Sequence, residues 1–84
     1  MTNEEIKKVH EIVKGSNCIE VCGRCFMRNE DGLWQSKEAL DYVYQGGENT
    51  YAKYSDEAMA QKSINLLLVS VGAHIENICN KKED

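Results

Sequence analysis

Apolar residues recur at helical spacing through residues 55–80. Ile64, Leu68, Val71, Ile75 and Ile78 stand four, three, four and three residues apart, which draws one stripe down a helix of 3.6 residues per turn. Leu67, Val69 and Ala73 widen it. So broad a stripe predicts one long C-terminal helix, capped at Ser55 or Asp56, that serves as a spine for other elements. Near the start, Thr2-Asn3-Glu4-Glu5 reads as a capping box, followed by an Ile6, Val9, Ile12, Val13 stripe and a Lys14-Gly15 end. A first helix is expected there. Ser36 is the N-cap of a short helix, Lys37–Tyr44, with Leu40, Val43 and Tyr44 inward and Gln45-Gly46-Gly47 closing it.

Residues 16–35 fit two patterns. As a helix, Cys18, Cys22 and Cys25 share one face with Phe26 beside them. In the other pattern Cys22-Gly23-Arg24-Cys25 is a tight turn with Gly23 at positive φ, and Phe26-Met27-Arg28 pairs with Leu33-Trp34-Gln35 across an Asp31-Gly32 turn. The fold class expected from the whole pattern is mainly α. It is a three- to four-helix domain over residues 1–84, with a Cys-rich turn docked near the end of the spine and an α+β form with a short hairpin as the alternative.

Composition narrows the function classes. Hydrophobic residues make up 42% of the chain, and its longest apolar run, Leu66 to Val69, falls far short of the roughly 18 residues of a membrane span. The acidic opening has no apolar signal core, so the expected compartment is the cytoplasm. A net charge of -4 from 14 acids and 10 bases argues against binding a phosphate backbone. No phosphate loop, His-Glu-x2-His motif or supported catalytic triad occurs, and the chain is not expected to be an enzyme.

In a reducing compartment the four cysteines are thiols or metal ligands sooner than disulfides. Cys18, Cys22 and Cys25 form the one cluster of soft ligands, and a structural zinc is the cofactor it admits, completed by His74 or Cys79. Those two stand five residues apart, about 140° around a helix, so one of them serves or neither does. His10, beside Ile6 and Val13, reads as a surface histidine. The alternative is that the thiols fill the core as small apolar side chains. Cys18-x3-Cys22-x2-Cys25 resembles the iron–sulfur loop of radical S-adenosylmethionine enzymes, which implies three cysteines on a four-iron cluster, but the chain is too short for their barrel. Cys22-Gly23-Arg24-Cys25 resembles a thioredoxin-type redox pair. That family also needs a facing cis-proline, and this chain has no proline.

Tyr42, Tyr44, Tyr51 and Tyr54 bracket one polar loop, and with Trp34 they are the candidate partner-binding residues, since tyrosine gives a large contact area at low entropy cost. The function expected is therefore a small protein-interaction module, an adaptor or an inhibitor that occludes a protein partner. Self-association is part of it, because Leu66 to Val69 is apolar nearly all round the helix: in a monomer the first helix and the Tyr42 helix cover it, and otherwise a second copy does, as a two-fold homodimer. A metal-thiolate or redox sensor built on Cys18, Cys22 and Cys25 is the alternative from another class. A nucleic-acid-binding zinc module is a third, because Arg24, Arg28, Lys37 and Trp34 resemble a small basic-aromatic nucleic-acid surface.

Overall fold

The computed structural model describes residues 1–70 and 72–78. Its elements in chain order are α1 (Asn3–Lys14), β1 (Cys18–Val21), β2 (Arg24–Arg28), β3 (Trp34–Ser36), α2 (Lys37–Tyr44), α3 (Asp56–Leu68) and β4 (Ile75–Asn77). The four strands form one antiparallel sheet in the order β3-β2-β1-β4. The fold is thus α+β, and the expectation of a mainly helical domain is overturned. The spine helix stops at Leu68, and the residues assigned to its last turns, Ile75–Asn77, instead pair with Val21, Glu20 and Ile19 of β1. Gly72, with φ +79, lies between the two elements in a conformation that an α-helix does not use. Of the apolar run Leu66 to Val69 on which the homodimer is expected, the first three residues remain on α3.

Local signals explain the elements that do form. Both arms of the capping box close at Thr2 and Glu5, and the Thr2 amide bonded to the Glu5 carboxylate lowers that carboxyl's pKa. Ser36 and Ser55 cap α2 and α3 by accepting the amides of Ala39 and Ala58. Between β1 and β2 only Cys22 and Gly23 remain. Both have positive φ, 52° and 80°, as a two-residue type I′ hairpin requires. The β2–β3 hairpin also forms, with Asn29 Oδ1 accepting the amides of Asp31 and Leu33 around the turn.

Strand alternation separates the sheet into two faces. Ile19, Val21, Phe26, Trp34 and Ile75 share one face, where Val9 and Val13 of α1 and Met59, Ala60 and Ile64 of α3 complete the core. The buried face of α3 includes Ala60 and Ser63, whose hydroxyl donates to the Met59 carbonyl. Leu68 and Val69 are exposed instead. α2 packs against β2 and β3 and buries Ala39 and Leu40 outside that cluster. Gln35 is fully buried, and its amide is satisfied by Asn29 and Asn49, which ties β3 to the loop after α2.

Arg28 locks these parts together. Its Nε donates to the Ser16 carbonyl, its Nη2 to the Val13 and Lys14 carbonyls at the end of α1, and its Nη1 to the Gly32 carbonyl and the Asp56 carboxylate. The guanidinium carbon stands 4.5 Å from the Trp34 ring centroid. Asp56, at the start of α3, also accepts the Trp34 indole N–H at 3.0 Å.

The Arg28 hydrogen bond, aided by that indole, holds the Asp56 carboxyl below the usual carboxylate range against the opposing effect of burial. A depressed folded-state pKa stabilises the fold above the unfolded value of about 3.9. That contribution is lost as pH falls through the folded value. Urea midpoints are therefore expected to drop more steeply between pH 6 and pH 2 in the wild type than in Asp56→Asn, and parallel curves would remove Asp56 from the acid response.

Candidate functional site

The thiols do not converge. Cys18 and Cys25 lie on the sheet face opposite the helical core, diagonal to each other, because Cys18 pairs with Met27 and Cys25 with Glu20. Cys22 sits in the turn and sends its Sγ the other way, to the Leu66 carbonyl of α3 at 3.4 Å. His74 is exposed, with Nε2 3.4 Å from a Glu76 carboxylate oxygen, and Cys79 lies outside the described residues. Among the described residues no group of three or more His, Cys, Asp or Glu side chains is placed to hold a metal ion.

The aromatic candidates divide as well. Trp34 is fully buried, so its ring belongs to the core and is closed to a partner. Tyr44, expected to face inward, is 64% exposed. Tyr42 and Tyr51 are exposed too and meet edge to face with centroids 5.8 Å apart, a geometry that fixes both rings. Gly47 backs this pair: a Cβ there would stand 2.0 Å from the Tyr42 ring, so only glycine permits the approach. Tyr54 is anchored by its main chain, which exchanges hydrogen bonds with Trp34 at 2.7 and 2.8 Å and covers the outer edge of β3.

A cleft of about 690 Å³ opens where β3 ends and the chain turns into α2. Its lining includes Arg24, Lys37 and Lys62 together with Tyr51 and Tyr54. Lys62 Nζ stands 5.4 Å from the Tyr54 ring centroid. Lys37 shares its charge with Asp41 at 2.8 Å, a bond that raises the lysine pKa, and Glu38 is the acidic group in the lining.

Arg24, Lys37, Tyr51 and Tyr54 are prominent in the sequence, but their convergence depends on α2 docking beside β2. Lys62 carries no sequence signal, since it joins the others only through the docking of α3. Arg28, grouped in sequence with the basic surface, is committed to the core clamp.

No protein-family model, curated protein or solved structure matches the chain. The class it defines is therefore stated from its own geometry: a small α+β domain with a four-stranded antiparallel sheet. No helix among the described residues is long and apolar enough to cross a membrane.

Proposed function

We propose that the chain is a cytoplasmic, non-enzymatic protein-interaction module, an adaptor or inhibitor that covers a site on a protein partner. The observation that carries this reading is the exposure of Tyr42, Tyr44 and Tyr51 together, on α2 and the loop after it, with two of the rings held edge to face. Exposed and ordered aromatic rings bind with little loss of side-chain entropy, and such residues supply the large terms in protein interfaces. No catalytic step is assigned to the cleft beside them.

The test compares immobilised wild-type protein with Tyr44→Ala/Tyr51→Ala in extracts of the native host, read by quantitative mass spectrometry. Tyr42 is left in place because its ring packs on Gly47. A partner retained by the wild type and by an exposed control variant, Glu11→Ala, is expected to fall by about tenfold or more with the tyrosine variant. Identical bound sets for all three proteins would overturn the reading.

A further inference from the structure

We propose that β4 is the contact between two copies of this chain: a second β4 pairs antiparallel with the first about a two-fold axis at Ile75. The two four-stranded sheets become one, and His74 of each copy stands against Glu76 of the other.

The sheet order places β4 at one end, bonded to β1, and among the described residues no strand lies beyond it. The register shows which of its backbone groups face outward. The Ile78 amide donates to the Cys18 carbonyl, which makes Cys18 and Ile78 a hydrogen-bonded pair. Bonded and non-bonded pairs alternate along an antiparallel ladder, so Glu20–Glu76 is bonded and Val21–Ile75 is not. The Ile75 N–H and C=O therefore point away from β1. α1, the helix packed against β4, spends its interior backbone groups within its own turns. An outward-facing strand edge is a template for a further strand.

The side chains beside Ile75 choose the register. Glu76 already has a like charge, Glu20, directly across the β1–β4 ladder. A two-fold axis at Glu76 would add a third and a fourth carboxylate to that row. An axis at Ile75 instead pairs Ile75 with its own counterpart through two main-chain hydrogen bonds. It sets His74 opposite Glu76 twice, in the flanking non-hydrogen-bonded positions where side chains come closest. Within one chain the His74 Nε2 already lies 3.4 Å from a Glu76 carboxylate oxygen, and both side chains are more than half exposed. An imidazole from each copy thus offsets the repulsion that the Glu20–Glu76 pair carries.

Apolar surface adjoins the same edge. Ile75, Ile12 of α1, and Leu67 and Leu68 of α3 line an open cavity of about 570 Å³, with Met1 also in the lining. Met1 and Leu68 are exposed. Ile75 belongs to the helical face of the sheet, so continuing the sheet across the axis brings the two helical layers side by side and covers this surface with its own counterpart, as a two-fold contact requires. A three-residue strand supplies few hydrogen bonds, and the apolar contact supplies the remainder of the attraction. α2 and its tyrosines pack at the other end of the sheet, against β2 and β3. The dimer therefore leaves Tyr42, Tyr44 and Tyr51 of both copies open.

Sedimentation equilibrium of the reduced protein is expected to pass from monomer to dimer mass between about 5 μM and 1 mM. His74→Glu opposes carboxylates at both contacts, and Glu76→Lys removes both carboxylates and sets a cation against each imidazole. Each variant is expected to pair about tenfold more weakly than the wild type, with no lower urea midpoint in dilute solution. Mixed in equal amounts, the two variants regain unlike partners at both contacts, Glu against Lys and His74 against Glu76, and a heterodimer about as tight as the wild-type dimer is expected. Tyr44→Ala/Tyr51→Ala is expected to dimerise as the wild type does. A monomer at every concentration, a dimer that neither charge variant weakens, a mixture no tighter than either variant alone, or a dimer lost with the tyrosines would each overturn the inference.

Discussion

Arg28→Ala is expected to cost about 3 kcal/mol or more of folding stability, a large share of the roughly 5–15 kcal/mol of a typical domain. The side chain donates to five acceptors drawn from the end of α1, the loop before β1, the β2–β3 turn and the start of α3. Truncation leaves the Asp56 carboxylate without its cation and removes the donors from carbonyls at the α1 terminus, where a cation also answers the helix dipole. Asp56 is 38% exposed at its side chain, so water takes over part of that loss. The Gly32 and Lys14 carbonyls are exposed as well, but the part-buried Ser16 and Val13 carbonyls are less readily served by water. Arg28→Lys is expected to recover little, since an ammonium cannot reproduce a planar fork that reaches several elements at once. Urea unfolding followed by fluorescence of Trp34, the single tryptophan, measures both variants. A loss below about 0.5 kcal/mol for Arg28→Ala, the usual span for surface changes, would show that the clamp is not a source of stability.

What the sequence disclosed and what it hid follow from the range of the interactions involved. The capping box at Thr2 and the serine caps at Ser36 and Ser55 lie within five residues of the groups they satisfy. Such signals act before any tertiary contact exists, and they were legible. The break after Leu68 was not. Ile64, Leu68, Ile75 and Ile78 keep helical spacing, yet Leu68 is exposed and the true buried face of α3 runs through Met59, Ala60, Ser63 and Ile64. Counting only large apolar residues rotates the stripe, because Ala60 and Ser63 pack as well as leucine where two helices approach closely. Gly72 was the available warning, and β-branched Ile75 next to polar Glu76 and Asn77 was a strand pattern too short to outweigh the helical one. What decides for β4 is the β1 edge, more than fifty residues earlier in the chain.

The candidate site was legible in part for the same reason. Cys18, Cys22 and Cys25 share a face only as a helix. In the strand–turn–strand that forms, the positive φ of Cys22 sends its thiol toward Leu66 while Cys25 remains on the far face of the sheet. The spacing was compatible with a metal site, but the hairpin around Gly23 separates the ligands. For the tyrosines, closeness along the chain was readable without orientation: Tyr42, Tyr44 and Tyr51 stay outside, whereas Trp34 is drawn in because its place in β3 alternates with Gln35 and faces α3.

Trp34→Ala is expected to be the most damaging single change, at about 3–5 kcal/mol, the usual range for deleting a large buried aromatic side chain. The ring is fully buried in the cluster with Val9, Ile19, Phe26 and Met59, lies against the Arg28 guanidinium, and donates its indole N–H to Asp56. Deletion therefore opens a cavity, and it also takes the aromatic face from Arg28 and one donor from Asp56. Trp34→Phe separates these effects. Phe keeps most of the packing and a π face but has no N–H, so its cost is expected at about 1–2 kcal/mol, mostly the lost hydrogen bond and the volume of the second ring. Circular dichroism during urea unfolding reads both variants without the tryptophan signal. The same experiment separates a core role from a contact role. A contact tryptophan would leave the urea midpoint unchanged on truncation while partner capture fell. Here the midpoint is expected to collapse, and any loss of binding in Trp34→Ala should follow the unfolded fraction, whereas Tyr44→Ala/Tyr51→Ala should lose binding with the fold intact.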